Sequence, residues 1–490
     1  MAHNACPQPT LMKRILPLGL IFVFAFSAFT QSQPAGQTFD LVILHGRVMD
    51  PESGLDAARN VGITANHIAA VTEDEISGRK TIDAHGLVVA PGFIDLHSHG
   101  QDAENYGYKA RDGVTTALEL EIGVADIDQW YGERQGKALI NYGATVGHVP
   151  TRMRLMHDSG IFLPHDTAAT TVATPGQIAE MRRDLEHGLE RGALGVGFGI
   201  GYVPAATRWE IIQMFSAAAE YHAPAFVHLR GGNTPDSPMA SLEEALAAAE
   251  VSGAPLHVVH ISSTGLRSTP QMLASIAGAR QHGLDVTTEC YPYTAAMTDL
   301  GSALFGPGWQ QREGITYKDL QWVETGERLT QETFEKYRKQ GGMVIIHSIP
   351  AEIAQLAVSS PLTMIASDGL ILNGKGHPRG AGTYAHVLGY YVRQQHALSL
   401  MEALRKMTLM PAQRLQARAP IMKNKGRVKV GADADLTVFD PQRVIDRATY
   451  EKIAYSEGIE YVLVSGVPVV NEGKLVDGVT PGEAIRAPLQ

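Results

Sequence analysis

Five residues that can bind a metal or move a proton stand at the ends of apolar, strand-like runs. His97 and His99 end the run PGFIDLHSH, while His228, His260 and Asp368 end three later runs. Because residues two apart on a strand share one face, His97 and His99 can bind one metal together. A lone histidine in an apolar run is usually a core residue. Such residues at equivalent strand ends instead predict a metal site.

The second run, GVTTALELE, carries Glu119 and Glu121 on one face. Burying a carboxylate in an apolar strand costs free energy unless the carboxylate is paired or bound to metal. Glu121 is nearer the end of the run, so it is our first candidate for a ligand that bridges two ions, with Glu119 second. The alternative is an ion pair between either glutamate and a neighbour such as Arg111.

These residue types suit metal-assisted hydrolysis. A metal such as zinc lowers the pKa of a bound water to about 7, which makes hydroxide available to attack a carbonyl at neutral pH. Asp368 is expected to accept the water's proton and to pass it to the leaving amine. Tyr291, at the end of the seventh run, is placed to donate a hydrogen bond to the developing oxyanion. Its alternative role is that of a packed aromatic whose hydroxyl meets a backbone group.

Apolar runs alternate with helical patterns over the middle of the chain. The runs are PGFIDLHSH, GVTTALELE, GATVGHVP, ALGVGFG, APAFVHL, PLHVVHI, LDVTTECYP and LTMIASD. Helical patterns such as TPGQIAEMRRDLEHGLERG and SLEEALAAAEVSG begin at Thr or Ser and stop at Gly. Eight strands alternating with helices predict an α/β fold, a (β/α)₈ TIM-like barrel, whose catalytic groups lie at the carboxyl ends of the strands.

Both ends of the chain have the short alternating runs, broken by Gly, Asn and Asp, that are typical of β-structure. These β-rich parts cover residues 36–90 and 425–490, and the barrel is expected over residues 91–424. Segment 298–360 exceeds one helical connection and contains the strand-like run GMVIIHSI. We interpret it as an insertion over the mouth of the barrel.

Residues 1–35 have the pattern of an export signal. Lys13 and Arg14 precede an apolar stretch over 15–29, and small or polar residues follow. We expect the mature protein to begin near residues 29–36, to carry no membrane span and to work in the periplasm or outside the cell. A retained membrane anchor is the alternative.

Composition narrows the class of protein further. With 490 residues, 44% hydrophobic, the chain can bury a substantial core. Its formal net charge of −10 and the lack of a basic stripe argue against nucleic acid as a partner. Cys6 falls in the predicted signal, so Cys290 is expected to be a free, buried thiol.

The motifs resemble a known superfamily. PGFIDLHSH is similar to the metal-binding start of the amidohydrolases, and GADADLTVFD resembles their closing signature. ASDGLILNGKGHPRGAGTYAHVLGYYVR, VHLRGG and ECYPYTA resemble the D-aminoacylase (N-acyl-D-amino-acid deacylase) family, over roughly residues 39–480. The resemblance implies that the two chain ends build one small β-sandwich domain.

The resemblance also implies a reaction, the hydrolysis of the linear amide bond of an N-acyl amino acid, and we expect an N-acyl-D-amino acid as the substrate. It further implies one or two divalent metal ions, which we expect to be zinc. It assigns His97, His99, His228 and His260 as metal ligands and Asp368 as the general acid/base. It also assigns Tyr291 as the group that polarises the carbonyl, and Arg230 and Arg379 as arginines near the substrate. The resemblance implies that Arg379 partners the substrate's carboxylate, which a guanidinium fork binds through two hydrogen bonds. A dipeptidase, a cyclic amidase or a deaminase on the same site is the alternative, and a non-catalytic periplasmic binding protein is a third.

Three departures from the family's pattern leave the substrate open. The family has a metal-binding cysteine just after its GVTT strand, where this chain reads LELEIG, so Glu121 is expected to substitute. Ser262 stands where the family often has a lysine, which removes one contact to a carboxylate. Segment 298–360 has little that aligns.

Overall fold

The computed structural model describes Met1, residues 38–231 and residues 236–490. The predicted export signal, apart from Met1, lies outside these residues. Within the described ranges, none of the helices combines the length and the apolar character that crossing a bilayer requires.

Eight parallel strands form a nearly closed barrel, and their order around the sheet follows their order along the chain. Each strand overlaps one of the eight predicted runs, which confirms the barrel, although Val114–Val124 ends later and Asn141–Gly147 begins earlier than predicted. The strands are Phe93–Asp95, Val114–Val124, Asn141–Gly147, Val196–Gly199, Ala225–His228, Leu256–Val258, Val286–Cys290 and Thr363–Ile365. A bridge between Ser98 and Gly369 joins the first and last strands just beyond their ends. Cys290 is a buried free thiol, as predicted.

The two helices predicted from their capping residues form, with one boundary moved. Helix Pro175–Glu190 begins at a capping box in which Thr174 and Gln177 satisfy each other's backbone N–H groups. Helix Ser237–Ser252 ends at Gly253, whose φ of 78° suits glycine. This helix starts one turn earlier than predicted, because Pro238 is tolerated in a first turn, where its missing N–H costs nothing.

The remaining α-helices connect the barrel strands or belong to the segments that cover them. They are Ala103–Arg111, Ile127–Arg134, His148–Met156, Thr167–Thr170, Arg208–Glu220, Ile261–Gly265, Thr269–Gln281, Trp309–Glu313, Gln331–Gln340, Ala351–Ser359, Arg379–His386, Leu400–Met407 and Leu409–Leu415.

Both chain ends contribute strands to one nine-stranded sheet, which confirms the predicted β domain. The strands are Phe39–Asp50, Leu55–Thr64, His67–Thr72, Gly78–Asp83, Val88–Pro91, Leu436–Phe439, Ile459–Val464, Val467–Asn471 and Lys474–Leu475. The N- and C-terminal parts meet where Val88–Pro91 pairs antiparallel with Leu436–Phe439. Val88–Pro91 leads directly into the first barrel strand, so the β domain fixes the start of the barrel.

The segment predicted as an insertion forms a small unit with its own core. Its antiparallel sheet consists of Ala296–Asp299, Met343–Ile346 and Leu320–Trp322. Trp309 and Phe334 pack in the apolar cluster behind this sheet. The helix Ala351–Ser359, by contrast, packs against the last two barrel strands and so serves the barrel rather than the insertion.

Candidate metal centre

The four predicted histidine ligands form two contacting pairs. His97 and His99 follow the first barrel strand, and their Nε2 atoms lie 3.1 Å apart. His228 ends the fifth strand and His260 follows the sixth, with His228 Nδ1 3.0 Å from His260 Nε2. The backbone of His260 has a φ of 31°, a conformation that non-glycine residues adopt mainly where surrounding structure imposes it.

Glu121 lies between the two histidine pairs. Its Oε2 is 3.3 Å from His97 Nε2 and 3.2 Å from His99 Nε2. Its Oε1 is 2.8 Å from His228 Nδ1 and 3.0 Å from His260 Nε2. One carboxylate oxygen therefore faces each pair, which is the arrangement that a bridging ligand requires.

Asp368 closes the site from the end of the eighth strand. Its Oδ1 lies 3.5 Å from His97 Nε2 and 3.3 Å from His99 Nε2. Its backbone has a φ of 51°, and its N–H donates to the carbonyl of His97 at 2.7 Å. Burial alone would raise the pKa of Asp368, but the positive charges of Arg379 and His97 hold that pKa well below its usual range.

Two further carboxylates hold the first histidine pair from behind. Glu289 Oε1 is 2.7 Å from His97 Nδ1, and Glu289 Oε2 is 3.2 Å from His257 Nε2. Glu119 Oε2 is 2.8 Å from His99 Nδ1. Engaging the Nδ1 atoms fixes both rings and directs their Nε2 atoms into the site. The structure thus places Glu119 behind His99, outside the space between the histidine pairs.

The electrostatics of the centre favour a cation. Burial would lower the pKa of His97, but the carboxylates Asp368, Glu121 and Glu289 raise it to about 10. Burial likewise opposes a charge on His99, yet Glu119 and Asp368 raise its pKa well above the usual value. Imidazole nitrogens and carboxylate oxygens are ligands that zinc accepts, so the donor set and its charge fit a divalent ion.

Side chains of the centre form three overlapping groups whose ligand atoms are close enough together to bind one metal ion. Within each group the candidate ligand atoms all lie within 4.8 Å of one another; the groups are His97, His99 and Glu121, then Glu121, His228 and His260, and then His97, His260 and Asp368.

Tyr291 presents a buried hydroxyl beside this centre. Its hydroxyl has no hydrogen-bond partner among the described residues. Burial raises the pKa of this hydroxyl, so the group keeps its proton at neutral pH. The Tyr291 ring lies 4.5 Å below the guanidinium carbon of Arg379. A buried donor without a partner is suited to an oxygen that arrives with a substrate.

Both predicted substrate arginines already have partners. Arg379 is buried, with Nη1 2.9 Å from Asp368 Oδ2 and Nη2 donating to the carbonyl of Met297 at 3.1 Å. Arg230 donates through Nε and Nη2 to the two carboxylate oxygens of Glu244, both at 2.8 Å. Ser262, at the position of the absent lysine, is buried and its hydroxyl has no partner in the described part of the chain.

Several residues of the site escaped the sequence analysis. Glu289 and His257 lie on barrel strands, and Glu289 carries the same signal as Glu121, a carboxylate within an apolar run. Tyr202 ends the single-turn 3-10 helix Ile200–Tyr202 and Phe162 lies on a loop, with their rings 4.6 Å from His228 and 5.1 Å from His99. Neither segment has a periodic pattern, so nothing in the sequence marks these two residues. The suggested pairing of Arg111 with the glutamates does not occur, since Arg111 donates to the carbonyl of Ser456.

A cavity of about 510 Å³ opens beside the centre. His228, His260, Tyr291 and Asp368 line its floor, and residues of the insertion line its wall. Residues of the insertion therefore share a cavity with the metal centre at the carboxyl ends of the strands.

Several known proteins are similar to this chain in both sequence and fold. The model of the Amidohydrolase family matches residues 80–156 and 246–470. An N-acyl-D-glutamate deacylase from Alcaligenes xylosoxydans xylosoxydans is 29% identical over 88% of this chain and 94% of its own. The crystal structure of an N-acyl-D-glutamate deacylase from Bordetella bronchiseptica, complexed with zinc and a phosphonate inhibitor, superimposes with a TM-score of 0.80 at 26% identity, covering 92% of this chain and 100% of that one. A D-aminoacylase structure described for its binuclear metal centre has a TM-score of 0.78 at 26% identity, covering 91% and 100%.

Proposed function

Because this chain belongs to the amidohydrolase family, we propose that it hydrolyses the linear amide bond of N-acyl-D-amino acids. The observation that carries the proposal is the position of Glu121 between two histidine pairs, next to Asp368 at the floor of a cavity. The similar N-acyl-D-glutamate deacylases support the substrate class.

One or two divalent ions, which we propose to be zinc, would be held by His97, His99, Glu121, His228 and His260. A divalent ion in such a site polarises a carbonyl group and makes hydroxide available near neutral pH. Glu119 and Glu289 support this set by orienting the imidazoles of His99 and His97.

Asp368 is the group that moves the proton in this proposal. Its depressed pKa keeps it ionised in the resting enzyme, so it can accept a proton from the attacking water and deliver that proton to the leaving amine. Tyr291 donates its hydrogen bond to the developing oxyanion. Arg379 holds Asp368 in position, and with Arg230 it supplies positive charge for the carboxylate of the substrate.

A substrate panel tests the reaction. Zinc-loaded enzyme is assayed with N-acetyl-D-amino acids, their L-enantiomers and cyclic amides such as hydantoins. We expect hydrolysis of the D-compounds to dominate. Asp368→Asn should abolish turnover while elemental analysis finds the metal still bound, and the exposed-surface change Asp477→Asn should alter neither. Preferential hydrolysis of the cyclic amides, or near-normal turnover by Asp368→Asn, would refute the proposal.

We also propose that residues 1–35 direct export and that the mature enzyme works in the periplasm or outside the cell. The basic pair Lys13 and Arg14 before an apolar stretch supports this. Fractionation of expressing cells and N-terminal sequencing provide the test, with a mature N-terminus expected within residues 29–36. A full-length chain in the membrane fraction would favour a retained anchor instead.

A further inference from the structure

Glu313 is a carboxylate on the wall of the substrate cavity. It is the last residue of the short helix Trp309–Glu313 in the insertion, and it lines the same cavity as His228 and His260. Its side chain is half-buried. Neither the histidine cluster nor the proton-transfer group uses it.

The described residues offer Glu313 neither a hydrogen bond nor an ion pair, although arginines share its cavity. The guanidinium of the neighbouring Arg312 donates hydrogen bonds to backbone carbonyls, including that of Pro307 at 2.8 Å and that of Leu304 at 3.1 Å. Two further arginines that line the cavity, Arg230 and Arg267, contact Glu244 and Glu352 at 2.8 and 3.2 Å. Glu313 is thus a carboxylate on the cavity wall that a ligand can reach and whose charge is not paired with a cation of the described residues.

The surrounding structure holds Glu313 in place. Trp309, at the start of its helix, stacks on Phe334 with ring centroids 5.1 Å apart. Gly314 ends the helix with a φ of 66°, which turns the chain back towards the core of the insertion. A residue between these two anchors keeps its position on the wall without help from a ligand.

The electrostatic environment of Glu313 favours an added positive charge. Burial raises the pKa of its carboxyl, while Arg312 and His228 oppose that rise. Glu313 and His228 both line this cavity, so the carboxylate and the histidine cluster face the same space. A partly buried carboxylate without a close partner is stabilised when a ligand brings a cation to it.

We propose that Glu313 is a specificity-determining residue that selects substrates carrying an ammonium or guanidinium group. The proposal rests on the amide hydrolysis proposed above and names the substrate's charge. Leu304, Ile315 and Ile346 on the same wall accommodate an apolar chain that ends in this cation. An acidic substrate group would meet Glu313 as a like charge, which is unfavourable.

The cation can belong to either half of the substrate, and two pairs of compounds separate these sources. N-acetyl-D-lysine and N-acetyl-D-norleucine differ by a cation on the amino-acid side chain. Glycyl-D-leucine and N-acetyl-D-leucine differ by a cation on the acyl half. N-acetyl-D-glutamate and N-acetyl-D-glutamine add an anionic comparison. The readout is the ratio of kcat/KM within each pair, for the zinc-loaded wild type, Glu313→Gln and the exposed control Glu332→Gln.

We expect the wild type to prefer the cationic member in at least one pair and the neutral member in the anionic pair. Glu313→Gln should reduce these preferences about tenfold, as the loss of one charge interaction predicts. Glu332→Gln should leave the ratios unchanged. The pair that responds identifies which half carries the cation.

Failure of this inference is distinguishable from failure of the proposed reaction. If neutral N-acetyl-D-amino acids are hydrolysed but the ratios are equal in wild type and Glu313→Gln, the role of Glu313 is overturned and the reaction stands. If no compound of the panel is hydrolysed by metal-loaded enzyme, both proposals are overturned.

Discussion

Arg379 Nη1 lies 2.9 Å from Asp368 Oδ2, while the other oxygen of this carboxylate faces His99 Nε2 at 3.3 Å. The carboxylate of Asp368 is thus held between a buried guanidinium and the histidine cluster. Since Arg379 is itself almost fully buried, at 1% exposure, its charge acts on Asp368 with little screening by water. This contact sets both the position and the acidity of the proposed proton carrier.

Arg379→Gln should therefore change the pH dependence of the reaction. Arg379 lowers the pKa of Asp368 against the effect of burial, so its removal raises that pKa. Activity that needs ionised Asp368 is lost as pH falls through this pKa, and the acid limb of kcat/KM should move to higher pH. A pH profile measures the shift. A raised KM with an unmoved acid limb would leave Arg379 with the substrate's carboxylate alone and refute its effect on Asp368, and Arg230→Gln provides the comparison.

Glu121→Ala should lower the metal content of the purified enzyme. Glu121 faces both histidine pairs, so its loss removes a ligand shared by the two halves of the centre. Elemental analysis of the metal-to-protein ratio provides the measurement. Glu119→Gln should lower the ratio less, because Glu119 is a partner of His99 Nδ1 and lies outside the proposed ligand set, and the exposed change Glu180→Gln should leave the ratio unchanged. An unchanged ratio in Glu121→Ala would argue against a bridging role.

Glu289→Gln should weaken metal binding without removing a ligand. An amide is a weaker acceptor than a carboxylate for the Nδ1–H of His97, and losing such a partner typically costs about 10- to 100-fold in metal affinity. Competition with a chelator of known affinity measures the change. The exposed Glu180→Gln controls for loss of a carboxylate elsewhere. Equal affinities in Glu289→Gln and wild type would make Glu289 a merely structural residue.

Tyr291→Phe should lower kcat about 100- to 1000-fold, the usual effect of removing one donor to an oxyanion. KM and metal content should change little, because the ring remains in place beside Arg379. Steady-state kinetics with an N-acetyl-D-amino acid check this. A kcat close to that of the wild type would mean that the Tyr291 hydroxyl does not contact the reacting carbonyl.

The barrel could be predicted because its strands lie in apolar runs that alternate with helical patterns, and several of these runs end in polar residues. Strands buried on both faces leave a continuous apolar signal, and their carboxyl ends meet at one edge of the barrel. His228 and Asp368, far apart in sequence, could be assigned to one site for this reason alone. Glu121 was preferred over Glu119 by its position along the strand, and the structure places Glu121 between the histidine pairs.

The supporting residues were harder to predict. Glu289 meets His97 across the barrel, a contact between positions 192 residues apart that depends on how the strands close. The role of Arg379 likewise depends on the turn after the eighth strand, where Asp368 adopts its positive φ. The wall of the cavity comes from an insertion whose fold depends on its own aromatic core rather than on a repeating pattern.

The pairing of Val88–Pro91 with Leu436–Phe439 has a consequence for the order of folding. The ribosome makes the strand that precedes His97 early, but its sheet partner emerges near the end of synthesis. The strand that leads into the first two metal ligands therefore gains this sheet partner only when almost the whole chain is available. Contacts of such long sequence separation make folding slow, and truncation near the C-terminus would disturb a metal centre that lies hundreds of residues away in sequence.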